Sequence, residues 1–140
     1  MSLFVVDSSV GIKWFVPEVL SPDALAFRNS GHELHVPAFF DVEITNIVWK
    51  KLQRGELTRQ DAGFIVQLLP TLPVTRHSES PILAPAFHLA CQSQRTVYDS
   101  LYIALAQRLG GVMMTADQRL ANSLAATPWS PLVQYLGTVP

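Results

Sequence analysis

Four carboxylates stand where this sequence could do chemistry: Asp7, Glu43, Asp99 and Asp117. Asp7 follows the apolar run Leu3-Phe4-Val5-Val6, and Asp117 lies just beyond Val112-Met113-Met114. If both runs are strands of one parallel sheet, their acids meet at the same sheet edge. Asp99 opens an apolar helical stretch, where the helix dipole favours an ionised side chain. Glu43 is the odd residue among Phe39, Phe40, Val42, Ile44, Ile47 and Val48, so a cleft would account for it, and Asn46, one turn on, is near enough to bond its carboxylate or a metal-bound water. Carboxylates gathered in one pocket repel by roughly 3 kcal/mol per pair at ~5 Å and an effective dielectric of ~20. A divalent cation relieves that repulsion. Hard oxygen ligands with no His or Cys beside them suit Mg²⁺ or Mn²⁺, and phosphodiester hydrolysis is chemistry such a site can perform. Each acid also has an ordinary reading: Asp7 as a helix cap, Asp99 and Asp117 as first-turn acids, Glu43 as a solvated residue. Only a shared sheet edge makes the set informative.

The elements that must position these acids follow from pattern. Leu3 to Val6 reads as a buried strand, then a short helix from Ser9 to Val16 before Pro17. Ser21-Pro22 reads as an N-cap with proline at the first helical position, for a helix to about Asn29. Leu34-His35-Val36 is a second strand. A long helix from Ala38 to Arg54 follows, stopped by Gly55, and a second one capped by Thr58 carries Ala62, Ile65, Val66 and Leu69, so the two form a hairpin. A third strand is expected over Leu72 to Thr75. Helices follow from about Pro81 to Gln92 and from Asp99 to Leu109, then the Val112 to Met114 strand. Thr115-Ala116-Asp117-Gln118 starts a helix with capping-box spacing, and Leu132 to Gln134 is a last strand. Short apolar strands alternating with helices argue for an α/β domain with a central, mostly parallel sheet covered on both faces.

The chain of 140 residues, 49% hydrophobic and 15% charged, is the size of one globular domain, residues 1–140. Cys91, standing alone, excludes an internal disulfide framework and a Cys-rich zinc site, and its setting reads as a buried helix face. No apolar run reaches the roughly 20 residues of a membrane span, and no signal peptide is evident, so the expectation is a cytoplasmic protein without membrane contact. With ten Lys and Arg against eleven Asp and Glu, the net charge is −1, and any nucleic-acid contact must be local.

In order and spacing, Phe4-Val5-Val6-Asp7-Ser8-Ser9-Val10, Pro37 through Glu43-Ile44-Thr45-Asn46, Tyr98-Asp99-Ser100-Leu101-Tyr102-Ile103-Ala104-Leu105-Ala106 and Thr115-Ala116-Asp117 resemble the PIN-domain family. The resemblance spans nearly the whole chain and is strongest to the VapC-type toxin ribonucleases of toxin–antitoxin pairs. It implies a three-layer α/β/α domain in which Asp7, Glu43, Asp99 and Asp117 are catalytic and hold one or two Mg²⁺ or Mn²⁺ ions. Asp7 and Asp99 are then the principal ligands, with Ser8 and Thr115 as hydroxyl partners. It also implies endonucleolytic cleavage of RNA, a homodimer, and inhibition by a cognate antitoxin whose tail lies across the acidic pocket. Asp41 is a fifth acid, but two residues along a helix turn it about 200° from Glu43.

His32, His35, His77 and His88 share no spacing and no base partner. G-x-S-x-G, G-x-G-x-x-G and G-x-x-x-x-G-K are absent. Lys50, Lys51, Arg54 and Arg59 cluster at the hairpin tip, as a phosphate contact or a solvated face. Trp14, Phe15 and Trp49 read as core or partner-facing anchors. A phosphoryl-accepting receiver domain fits worse, having paired acids and a lysine that this chain lacks. A non-catalytic PIN-like scaffold has no need of mutually repelling acids, and a housekeeping RNA-processing nuclease would use the same site.

Overall fold

The computed structural model describes residues 2–138. Five strands, β1 (Leu3–Val6), β2 (Glu33–Pro37), β3 (Thr75–His77), β4 (Val112–Thr115) and β5 (Val133–Tyr135), form one sheet in the order β3-β2-β1-β4-β5. Every pair is parallel, with Val5 beside His35 on one side and Met113 on the other. Val5, Val6, Val36, Met113 and Met114 are buried, as expected of central strands covered on both faces.

Seven helices make the crossovers: α1 (Ser8–Gly11), α2 (Ser21–Arg28), α3 (Phe40–Gln53), α4 (Arg59–Leu68), α5 (Leu83–Ser93), α6 (Val97–Leu109) and α7 (Gln118–Leu124). From β1 the chain steps outward to β2 and β3, then returns across the sheet to β4 and β5. Right-handed crossovers in opposite directions put α1–α4 on one face and α5–α7 on the other, which is the expected α/β/α sandwich. The strand order reverses between β1 and β4, so a crevice opens beyond their carboxyl ends. Asp7 and Asp117 follow those two strands.

Local packing sets the helices around that crevice. Gly11 lets the Phe40 ring press against α1; a Cβ there would meet the ring at 2.6 Å, so any side chain would force the buried ring, and the packing of α1 on α3, to shift. Gly110 ends α6 with φ +71, a left-handed cap that glycine adopts without strain. The chain then enters β4 directly, and α6 packs on β1, β2 and β4.

Several expectations shift. The first helix is one short turn, α1, continued as a 3-10 turn over Ile12–Trp14. Ser21 does not cap α2: its hydroxyl donates to the Val16 carbonyl and accepts from the Glu18 N–H, closing the preceding loop, and Leu20 takes the cap position. β3 starts at Thr75 rather than Leu72, because Leu72 is buried after the 3-10 turn Leu69–Thr71. Thr115 ends β4, and Asp117 is the cap of α7. Cys91 is exposed, because α5 turns Ala86 and Leu89 inward and Phe87 and Cys91 outward. Lys51 leaves the basic cluster: it is buried and paired with Glu18 and Glu56. Trp14 is buried, whereas Trp49 is exposed. No helix among the described residues is long and apolar enough to cross a membrane.

Candidate active site

Asp7 extends the β1–β4 ladder by one bond, its N–H donating to the Met114 carbonyl at 3.1 Å. It occupies the cap position of α1, yet its side chain makes no capping bond. The carboxylate, 6% exposed, instead accepts three hydroxyls: Thr115 at 2.7 Å, Ser9 at 3.0 Å and Ser8 at 3.3 Å. Burial pushes the Asp7 carboxyl up to about 6, and the charges of Glu43 and Asp99 push the same way, against the hydrogen bonds of Thr115 and Ser9. Three of the four expected acids therefore share one electrostatic environment.

Glu43 lies in the first turn of α3, half-buried. Its Oε1 accepts the Tyr102 hydroxyl at 2.6 Å. Tyr102 is a core residue of α6, and burial together with the Asp7 and Glu43 charges lifts its phenol well above the usual range, so it stays protonated and donates. Asn46, expected as a partner of Glu43, is exposed and lines a groove with Phe39, Val42, Glu43 and Tyr98.

Asp99 sits in the first turn of α6, capped by Thr96, whose hydroxyl oxygen accepts the Asp99 N–H at 3.1 Å. Its Oδ2 accepts from the Arg95 guanidinium at 3.1 Å. Asp117 caps α7, with Oδ1 accepting the Leu120 N–H at 3.1 Å. It joins the other acids through Thr115, whose Oγ1 accepts the Asp117 N–H at 3.0 Å while donating to Asp7. Ser9 ties the same corner by accepting the Ala116 N–H at 2.9 Å. Asp41 faces away as expected, paired with Arg76 through two bonds of 2.7 and 3.2 Å.

Ser9, Tyr102 and Arg95 are site residues that the sequence did not single out. Ser9 and Tyr102 lie inside the quoted motifs, where nothing in their type or spacing marks them apart from their neighbours. Arg95 lies in a short interhelical loop without any pattern of its own.

Among the described residues, no three His, Cys, Asp or Glu side chains are grouped tightly enough to hold a metal ion between them. Mg²⁺, which keeps several waters and is taken by one or two carboxylates, does not require such a grouping. The all-oxygen donor set, and the raised Asp7 carboxyl, fit the same ion.

The PIN domain matches residues 4–123 of this chain. Ribonuclease VapC3 of Pyrobaculum aerophilum is 36% identical over 126 residues, covering 87% of this chain and 95% of that protein. Ribonuclease VapC12 of Mycobacterium tuberculosis is 32% identical over 121 residues, covering 86% of this chain and 92% of its own length. In fold, the crystal structure of PAE2754 from Pyrobaculum aerophilum superposes with a TM-score of 0.70 at 19% identity, covering 98% of this chain and 85% of the other.

Proposed function

Since this chain belongs to the PIN-domain family, we propose that it is a metal-dependent endoribonuclease of the VapC kind, the toxin of a toxin–antitoxin pair, with Asp7, Glu43, Asp99 and Asp117 as its catalytic acids. The observation that carries this reading is Asp7: a carboxylate kept buried at the β1–β4 crevice, its acidity weakened by burial and by Glu43 and Asp99. A scaffold gains nothing from that arrangement, whereas a bound cation would offset its cost.

In this reading Asp7 and Asp99 hold Mg²⁺ or Mn²⁺, and Glu43 and Asp117 complete the site directly or through water. The bound cation lowers the pKa of water and offsets charge building on the phosphate oxygens. The chain's own part is orientation. Thr115, Ser9 and Ser8 hold the Asp7 carboxylate in place by donating to both of its oxygens. Tyr102 pins one oxygen of Glu43 and leaves the other for the groove. Thr115 couples Asp7 to the α7 corner, so that Asp117 stays in register with it. RNA is the substrate, a cognate antitoxin and a second copy of the chain are the partners, and the cytoplasm is the place of action.

Purified protein freed of any partner is expected to cut single-stranded RNA with Mg²⁺ or Mn²⁺ and not with a chelator. Asp7→Asn and Asp99→Asn are each expected to lose at least 100-fold in rate, about 3 kcal/mol of transition-state stabilisation. Unchanged cleavage by either variant overturns the assignment. Growth arrest on expression, relieved by a neighbouring small DNA-binding protein, tests the toxin role. Full activity without any growth effect would favour RNA processing.

A further inference from the structure

Arg95 is bonded to one of the four acids and has no part in the reaction outlined above. It lies in the turn between α5 and α6, just after Gln94, whose backbone is left-handed at φ +59, and just before the Thr96 cap. Its N–H donates to the Ser93 hydroxyl at 3.2 Å, which helps to hold the turn. One guanidinium nitrogen, Nη2, reaches Asp99 Oδ2 at 3.1 Å. The Nε is buried and has no hydrogen-bond partner among the described residues.

Arg76 shows what a structural pair looks like in the same molecule. Its Nε and Nη2 bond both oxygens of Asp41, and Nη2 also bonds the Leu69 carbonyl at 2.7 Å. The guanidinium edge is fully engaged. Arg95 meets its acid by a single nitrogen and leaves its buried Nε without a partner. His32 Nδ1 and Ser100 Oγ are likewise without one among the described residues, but of the three only Arg95 is a charged group bonded to one of the four acids. A ligand that engages this guanidinium by its fork offers paired acceptor oxygens, and a phosphate does so. The chain has a net charge of −1, and Lys51 is already committed to Glu18 and Glu56, so a polyanion reaching this crevice must find its counter-charge locally.

We infer that Arg95 binds a substrate phosphate at this site, and that it rests on Asp99 until a divalent cation takes that carboxylate. The inference rests on the nuclease reading given above. It makes Arg95 a competitor of the cation in the free protein and a partner of the RNA backbone in the loaded one. The pair with Asp99 is partly exposed on both sides, 27% and 28%, so it is weak enough to be exchanged.

Arg95→Gln and Arg95→Lys separate these roles. Mn²⁺ binding to the RNA-free protein, followed by electron paramagnetic resonance, is expected to tighten about two- to fivefold in Arg95→Gln, because Asp99 loses its competitor. The KM for a short single-stranded RNA in Mg²⁺ is expected to rise about tenfold or more, the loss of one charge-assisted bond. The slope of log KM against log salt is expected to fall by about 0.7, the signature of one lost phosphate contact on a single strand. Arg95→Lys keeps the charge and is expected to retain the salt slope with a smaller rise in KM; it also carries the test if the glutamine variant does not fold. An active Arg95→Gln enzyme with unchanged KM and salt slope overturns the phosphate role, and weaker or equal Mn²⁺ binding overturns the competition. Failure of the nuclease reading shows separately, as a wild-type chain that binds Mn²⁺ and cuts no RNA; that result withdraws the phosphate role too and leaves only the competition to be read.

Discussion

Replacing Asp7 by Asn should make the metal-free protein more stable while it removes the proposed activity. Burial, with Glu43 and Asp99 nearby, raises the Asp7 carboxyl from its ordinary 3.8 to about 6. That displacement means that holding Asp7 ionised in the fold costs about 3 kcal/mol relative to the unfolded chain. An asparagine has the same shape and no charge; its carbonyl accepts the Thr115 hydroxyl, and the Ser8 hydroxyl can rotate to accept from its amide. The sign follows from proton binding. Between the unfolded and folded pKa values the native state holds the proton more tightly, so wild-type stability falls as pH rises from about 4 to beyond 6. The variant has no such proton to lose. Its advantage is therefore close to nothing at pH 4 and complete by pH 7.5, about 3 kcal/mol, or roughly 10 °C in Tm for a chain of this length. Thermal unfolding by circular dichroism in chelator, at intervals from pH 4 to 8, measures it. Added Mg²⁺ should raise the wild-type melt at pH 7.5 and leave the variant where it is. Equal melting temperatures at pH 7.5 would refute the reasoning, and so would a gap of the same size at pH 4.

Tyr102→Phe removes the 2.6 Å bond to Glu43 and the hydroxyl's hydrogen bond with Ser8, while the ring stays packed near Phe39. We expect Mn²⁺ affinity to drop about tenfold or more, from the loss of a hydrogen bond to a charged group, with the chelator-treated protein melting within a few degrees of wild type; unaltered affinity would show that the phenol does not hold Glu43 for the cation. Glu18→Gln tests the tie between α3 and the loop before α2. Burial pushes the Glu18 carboxyl up, but hydrogen bonding by Lys51 and the charges of Lys13 and Lys51 bring it below 4.5, so its contribution is present above that pH and fades only as pH falls further. The variant should lose about 1–2 kcal/mol at pH 7, measured by urea unfolding, and the deficit should close under acid conditions.

How much of this was legible beforehand depends on what each residue contacts. β1, β2 and β4 are continuous apolar runs because both faces are covered, and they were read nearly to the residue. β3 was misplaced because an edge strand needs a partner on one side only, and Thr75, Arg76 and His77 carry no apolar signature. Caps were legible where the side chain bonds its own helix, as at Thr58, and illegible where it turns to another segment, as at Ser21. Sequence order placed Asp7 and Asp117 at one sheet edge. It could not show that Asp117 spends one oxygen on the α7 cap, or that Lys51 finds Glu18 across thirty-three positions. Pairings of that kind belong to tertiary structure, and single-sequence patterns report only the local part of it.

The crevice answers the problem of assembling acids without a cation in three chemically distinct ways. Asp7 is quieted by hydroxyls and by its own raised pKa, Glu43 by a phenol that cannot ionise in its place, and Asp99 by a guanidinium. Thr115 is fixed by the sheet, Ser8 and Ser9 by α1 and Tyr102 by the core of α6, so they can orient their acids but cannot leave. Arg95 alone sits in a turn and holds its acid by one bond. If a cation is to enter with little rearrangement, Asp99 is therefore the carboxylate that must change partners, and the displaced arginine is released to meet a phosphate arriving at the crevice.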